Sequence, residues 1–167
     1  AAIQSGAGGD IAEPGGADGP AQWSDAELLG VAYGYCGAPD QWWQQQVVLG
    51  LQRRGLPRPD ILSLMTNYFE LTELHVLPQA QGNGLGESLA RRLLTGRAEA
   101  NVLLSTPEIS GEANRAWRLY RRLGFIDVIR SHHFTGDPRP FAILGRTLPL
   151  EQSCATSATH GPSGLAR

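Results

Sequence analysis

Apolar and polar side chains alternate from residue 67 to residue 77, and this period of two predicts a β-strand. Pro78 follows directly and ends the strand, because proline lacks the backbone N–H that a sheet requires. Beyond a glycine-rich turn, Leu85, Leu89 and Leu93 recur at the spacing of one helix face. The same reasoning predicts a helix over 86–95, a strand over 101–105, a helix over 113–123 with Gly124 as its C-cap, and a hairpin of strands over 125–134 and 141–148.

The segment before residue 67 predicts one more strand and two helices. Residues 27–35 are mostly apolar and include aromatic side chains, which favours a strand, and the turn cluster 37–40 ends it. Asp40 is placed to cap a helix over 41–54, and a second short helix covers 59–66. From residue 67 the order is strand, helix, strand, helix, strand, strand, which predicts an α/β protein whose mixed sheet is covered by helices.

The two ends of the chain show no such periodicity. Residues 1–22 are rich in glycine and alanine, and residues 151–167 are rich in serine, threonine, alanine and glycine. Segments of this composition bury little apolar surface, so we expect flexible ends on either side of one domain over 23–150. The total of 167 residues has the length of a single domain.

Charges are distributed unevenly along the chain. All 14 basic residues are arginine, and they stand against 16 acidic residues for a net charge of -2. Residues 1–40 hold six acids and no arginine, which leaves ten acids against 14 arginines for residues 41–167, so the two parts carry -6 and +4. The near-balance argues against a general nucleic-acid binder, whereas an anionic ligand is more compatible with the later part.

Several other classes of protein are disfavoured by the sequence. No apolar run reaches the roughly 18–20 residues of a membrane span, and the N-terminus lacks the basic-then-apolar order of a signal peptide. Cys36 and Cys154 match no metal-ligand spacing, and His132 and His133, adjacent on a strand, point to opposite sides. We therefore expect a cytoplasmic protein in a reduced compartment, with no metal site and no membrane or nucleic-acid partner.

The candidate chemistry is concentrated where the strand over 67–77 runs through a glycine-dense turn into a helix. Backbone N–H groups at such a turn, added to the positive end of the helix dipole, bind phosphate oxygens. A tight turn that needs glycine only for its positive φ explains the same residues equally well. The dinucleotide fingerprint would require a third glycine at Glu87, and the Walker A pattern requires a lysine, which this chain does not contain.

Two motifs in this region resemble those of the GCN5-related N-acetyltransferases. That family's pyrophosphate-binding pattern, Gln/Arg-x-x-Gly-x-Gly/Ala, is matched by Gln81-Gly82-Asn83-Gly84-Leu85-Gly86. Residues 74–78 look like its fourth strand, and residues 116–125 are similar to its second signature, a helix with a tyrosine, here Tyr120, four residues before Gly-Phe. The resemblance implies the mixed α/β acetyltransferase fold, acetyl-CoA as donor, and a primary amine of a small molecule or a protein as acceptor.

The resemblance also implies where CoA binds. Its pyrophosphate is expected on the turn formed by Gln81, Gly82, Asn83, Gly84, Leu85, Gly86 and Glu87. Its pantetheine arm is expected to pair like an extra strand with the backbone of Leu74, His75 and Val76, because the fourth and fifth strands of this fold splay apart. Asn114 stands six residues before the tyrosine, where the family has seven, so it either contacts the cofactor or caps the helix.

Direct transfer to an amine needs a base for the amine proton and an acid for the departing thiolate. The resemblance assigns the acid to Tyr120, which equally suits a core position because it shares a helix face with apolar residues. Glu73 is the first candidate base, Glu70 is the second and His75 is an alternative, because the usual family position carries Thr72. Three positions apart on a strand, the two glutamates are expected to face opposite sides.

The acceptor region is where the resemblance is weakest. In this family an early strand and two helices shape the acceptor pocket, but residues 1–26 predict neither, so the expected fold lacks them. The segment 41–54 either replaces that wall with Trp42 and Trp43 or packs both tryptophans against the sheet. Two functions stay open, an N-acetyltransferase and a regulatory or degenerate module that binds CoA without turnover, and a homodimer is compatible with either.

Overall fold

The computed structural model describes residues 2–4, 27–108 and 115–150. The strands are β1 (Ala2–Gln4), β2 (Leu28–Cys36), β3 (Tyr68–Val76), β4 (Asn101–Pro107), β5 (Ile126–His132) and β6 (Phe141–Thr147). The helices are α1 (Trp42–Arg53), α2 (Arg58–Met65), α3 (Leu85–Leu94) and α4 (Arg115–Arg122), with a 3-10 turn over Pro78–Ala80. None of the helices in these ranges combines the length and the apolar character needed to cross a membrane.

The predicted fold class is confirmed. The strands form one sheet in the order β1-β2-β3-β4-β6-β5, in which only β3 and β4 run parallel. Every element predicted between residues 27 and 148 is present to within two residues at either end. Gly124 follows α4 with a φ of 80°, the left-handed conformation expected of a glycine that ends a helix.

Two expectations for the first 41 residues need correction. Asp40 does not cap α1, because the N-cap position is Gln41 and no side chain caps the helix there. The N-terminus does contribute a strand, since β1 pairs antiparallel with β2. The three residues of β1 are too few to show an alternating pattern. Otherwise the segments 1–22 and 151–167, predicted to be flexible, lie outside the described residues.

Helices cover the sheet on both faces, and two buried apolar clusters mark the two layers. Phe69, Leu71 and Leu104 lie in the cluster beneath α3 and α4. Tyr68 and Leu103, their neighbours along β3 and β4, lie in the cluster beneath α1 and α2. The alternation of the strands therefore sends successive side chains into different layers.

The pairing of the two parallel strands stops early. β3 and β4 are in register only from Tyr68 opposite Asn101 to Glu70 opposite Leu103. Beyond that point β3 continues to Val76 and β4 to Pro107 without pairing to each other. The strands thus separate as expected, and within the part of the chain that the structure describes no strand pairs with the β4-facing edge of residues 71–76.

A β-bulge interrupts β3 just beyond the last paired residue. In the register with β2, Tyr33 lies opposite Glu73 and Gly34 lies opposite Leu71, so Thr72 is the extra residue. A Cβ atom on Gly34 would overlap the carbonyl oxygen of Glu70, so the strands approach this closely only with glycine at that position. The bulge shifts the alternation of β3 by one residue.

The shift overturns the prediction that Glu70 and Glu73 face opposite sides of the sheet. Glu70 lies opposite Tyr35 and Glu73 lies opposite Tyr33. The two tyrosines are two residues apart on β2 and contact each other, with ring centroids 6.0 Å apart. Because residues opposite each other in a sheet share a face, both glutamates lie on the face away from α3 and α4. We call Tyr33, Tyr35, Glu70 and Glu73 the tyrosine–glutamate face.

The two glutamates of this face differ in burial. Glu70 is only 9% exposed, whereas the Glu73 side chain is 41% exposed. Burial raises the pKa of Glu70 from 4.5 to about 7, and a hydrogen bond from Thr72 opposes part of that rise. Glu70 is therefore a carboxyl group that changes its charge near neutral pH.

We predict that Glu70→Gln changes how stability depends on pH. The folded protein holds the Glu70 proton up to about pH 7 and the unfolded chain releases it near pH 4.5, so wild-type stability falls as the pH rises between those values. The variant lacks this contribution. Urea denaturation at several pH values should show the free energies of unfolding of the two proteins diverging by roughly 3 kcal/mol across that interval. Parallel curves would contradict the burial of an ionisable Glu70.

Candidate active site

The turn between β3 and α3 has the backbone conformation of an anion-binding site. Gly82 and Gly84 have φ values of 89° and 77°, in the left-handed region that favours glycine. A Cβ atom at either position would meet no other atom within 4 Å, so both glycines border open space. The Gln81 side chain donates a hydrogen bond to the Val76 carbonyl oxygen over 3.0 Å and ties the turn to the end of β3.

Helix α3 begins immediately after this turn. Gly84 occupies its N-cap position, and Ser88 donates the first backbone hydrogen bond of the helix back to Gly84. The N–H groups that precede Ser88 have no carbonyl one helical turn earlier to bind, so they are available to a ligand or to water. Together with the helix dipole they favour a negatively charged group at this point.

A cleft of about 500 Å³ runs from this turn between β3 and α4. Its walls include Leu74 and Val76 of β3, and Leu119 and Tyr120 of α4. A Cβ atom on Gly86 would lie 3.3 Å from the Leu119 side chain, so the absence of a side chain there lets α3 and α4 approach closely. The third glycine of the motif therefore has a packing role at the base of the cleft.

Most of the predicted CoA-binding residues line this one cleft. The ones that do are Leu74, Val76, Gln81, Gly82, Gly84, Leu85, Gly86, Glu87 and Tyr120. Asn83 lies in the turn but not in the cleft wall, and the His75 side chain is 70% exposed. Asn114 lies outside the described residues.

Tyr120 belongs to the core and to the cleft at once. Its ring is buried in the cluster beneath α3 and α4, where it packs 5.6 Å from the Phe125 ring. Burial, with a smaller contribution from the negative charge of Glu73, raises the pKa of Tyr120 to about 12. Its hydroxyl group therefore stays protonated at neutral pH and can donate a hydrogen bond. The two interpretations of this residue are compatible.

Glu73 connects the cleft with the tyrosine–glutamate face. It lies close enough to Tyr120 to influence the pKa of that residue, although Tyr120 belongs to the opposite layer. Its carboxylate also lies 2.5 Å from Nε2 of His75, two residues further along β3. The separation of β3 from β4 makes such an approach through the sheet possible, because no backbone hydrogen bonds close the gap there.

The two tryptophans of α1 have different environments. Trp43 packs against Tyr68, with ring centroids 5.9 Å apart, and its indole N–H donates to the Ser105 hydroxyl over 3.3 Å. Trp42 is 53% exposed and lies beside Phe134. Packing against the sheet is therefore the role of Trp43, and it brings α1 to the separating end of β4.

Sequence reasoning missed three arginines of the cleft. Arg115, Arg118 and Arg122 of α4 line it, and their spacing of three and four residues was the available signal. On α3, by contrast, Arg91 pairs with Glu87 over 2.9 Å and Arg92 is exposed outside the cleft wall.

His132 is the last residue of β5 and His133 follows it, and the two side chains differ in burial, as expected of neighbours that point to opposite sides. His132 is buried and His133 is exposed. Within the described ranges, no group of three or more His, Cys, Asp or Glu side chains is arranged to hold a metal ion.

Comparisons with known proteins agree with this geometry. The family model of the acetyltransferase (GNAT) family matches residues 16–125. The GCN5-like protein acetyltransferase Rv2170 of Mycobacterium tuberculosis is 77% identical over 130 residues, which is 78% of this chain and 63% of that protein. The chain thus spans less than two thirds of that relative's length.

Solved structures share the fold at low sequence identity. Arabidopsis thaliana NAA60 in complex with acetyl-CoA matches with a TM-score of 0.51 and 18% identity, over 77% of this chain and 70% of that chain. The same enzyme in complex with a bisubstrate analogue matches with a TM-score of 0.51 and 16% identity, over 79% and 71%. With the matched family model and the close relative, these findings establish that the chain belongs to the acetyltransferase (GNAT) family.

Proposed function

We propose that this protein transfers the acetyl group of acetyl-CoA directly to a primary amine. The observation that carries the proposal is the continuity of the cleft, which joins the glycine turn to the unpaired edge of β3 and to Tyr120. Phosphate groups, an extended amide-containing arm and a thioester follow one another along acetyl-CoA in the same order. Acetyl-CoA as the donor also supports the cytoplasm as the place of the reaction.

The described residues suit each part of CoA. The diphosphate is proposed to accept hydrogen bonds from the backbone of residues 82–87, at the positive end of α3. The pantetheine arm carries amide groups, which are proposed to pair with residues 74–76 along the edge that β4 leaves open. Leu74 and Val76 give the cleft an apolar wall beside that arm.

The acceptor amine is proposed to approach from the tyrosine–glutamate face. Carboxylates and aromatic rings attract a cation, and this face presents both close to the separation of β3 and β4. An amine must lose a proton to attack the thioester carbon, and Glu73 is proposed to take it, directly or through water. The relative named a protein acetyltransferase supports a protein amine as one kind of acceptor.

Tyr120 is proposed to serve the leaving group. When the new C–N bond has formed and the C–S bond breaks, the thiolate of CoA needs a proton or a strong hydrogen bond. Tyr120 lines the cleft, and its hydroxyl group, with a pKa of about 12, is protonated at neutral pH and able to donate. A role for Tyr120 in chemistry distinguishes the enzyme from a module that only binds CoA.

We predict that Tyr120→Phe lowers kcat by about 100-fold, because the phenylalanine keeps the ring packing and removes only the proton donor. Thiol release from acetyl-CoA, measured with a panel of amines, checks this result. Tyr68→Phe is the matched control, since it also removes a hydroxyl group from a buried tyrosine. The Tyr68 hydroxyl donates a hydrogen bond to the Gln44 side chain in the other layer. Unchanged turnover of Tyr120→Phe would contradict the proposed role of Tyr120. Tight binding of CoA by the wild-type protein without turnover on any amine would contradict the proposed acetyltransferase activity.

We predict that Glu73→Gln also lowers kcat by about 100-fold or more, while the KM for acetyl-CoA changes little, because the variant loses the base and keeps the cleft. Glu70→Gln is the control, since Glu70 lies on the same face and its carboxyl group is buried. We expect it to lose less than about tenfold. A large loss in Glu70→Gln with an active Glu73→Gln would assign the base to Glu70.

A further inference from the structure

The cleft carries more positive charge than the glycine turn requires. Arg115, Arg118 and Arg122 lie three and four residues apart on α4 and form a single stripe along the cleft wall. Among the described residues that line this cleft, Glu87 is the one acidic residue. The arginines thus outnumber the acidic residues of this described wall by two, beside a turn whose backbone N–H groups already suit one phosphate site.

The three arginines lie at different positions along this wall. Arg115 donates a hydrogen bond to the Gln81 side chain over 2.6 Å, so it lies at the start of the glycine turn. Arg122 lies 3.6 Å from Glu87 in the first turn of α3, and its side chain is 59% exposed. Arg118 stands between them, one helical turn from Arg122 on the same face. Both side chains are exposed, so a ligand in the cleft can reach the pair formed by Arg118 and Arg122.

Guanidinium pairs at this spacing are suited to a phosphate monoester. Each guanidinium can donate two parallel hydrogen bonds to phosphate oxygens, and the charge of a monoester near -2 matches two arginines. The Glu87 carboxylate also forms an ion pair with Arg91 over 2.9 Å, so it competes only partly with a phosphate group for Arg122. CoA carries one group of this kind, the 3′-phosphate on its ribose, in addition to the diphosphate.

We propose that Arg118 and Arg122 bind the 3′-phosphate of CoA and make the cleft selective for CoA over its 3′-dephosphorylated form. This inference rests on the proposed function, because it takes CoA to be the ligand of the cleft. It assigns to side chains of α4 a selectivity that the backbone of the glycine turn cannot provide. The turn recognises a diphosphate in either molecule.

Isothermal titration of the full chain with CoA and with dephospho-CoA tests the proposal. The wild-type protein should bind CoA at least about tenfold more tightly than dephospho-CoA, the effect expected of charge-assisted hydrogen bonds to one phosphate group. The double variant Arg118→Gln and Arg122→Gln should bind both ligands equally, with the affinity of the wild type for dephospho-CoA. Arg92→Gln, which removes an exposed arginine outside the cleft wall, should keep the wild-type preference.

The outcomes separate this inference from the proposed function. A wild type that binds both ligands equally, or a double variant that keeps the preference for CoA, would overturn the role of the two arginines and leave the acetyltransferase standing. A wild type that binds neither ligand would overturn the proposed function itself. Both arginines are exposed, so circular dichroism should show that the double variant keeps its fold.

Discussion

The end of the hydrogen bonding between β3 and β4, after Glu70 and Leu103, is the constraint on which the site depends. Parallel strands that stay paired would close the sheet and leave no backbone donors or acceptors for a ligand. Here the sheet is held together below this point by six residues in register and covered on both faces by apolar clusters. Above it, residues 71–76 have an open edge, and the cleft begins there.

The bulge at Thr72 adds a second constraint at the same place. It lets Leu71 and Leu74 both contribute to the layer beneath α3 and α4, while Glu70 and Glu73 both point away from it. One strand therefore supplies an apolar wall to the cleft and two carboxyl groups to the opposite face. With Tyr120 reaching the cleft from α4, groups of both layers meet where the strands separate.

Sequence periodicity predicted the helices and strands between residues 27 and 148, because the spacing of apolar side chains in long amphipathic segments differs between a helix and a strand. The glycine pattern at 82–86 and Tyr120 were found by resemblance, and both line the cleft. The bulge at Thr72 escaped prediction because strand register is set by pairing with β2, and no local pattern records it. β1 was not predicted because three residues are too few to show an alternating pattern. The α4 arginines were not predicted as site residues because only the folded chain brings them to the turn.

The glycine turn and the open edge of β3 are proposed to hold CoA together. Hydrogen exchange of individual backbone amides, followed with and without CoA, tests this binding mode. We expect slower exchange in the complex at residues 82–87 and at 74–76, with little change in α1 and α2 on the other face of the sheet. Tight binding of CoA that leaves exchange at the turn and at this strand edge unaltered would contradict it.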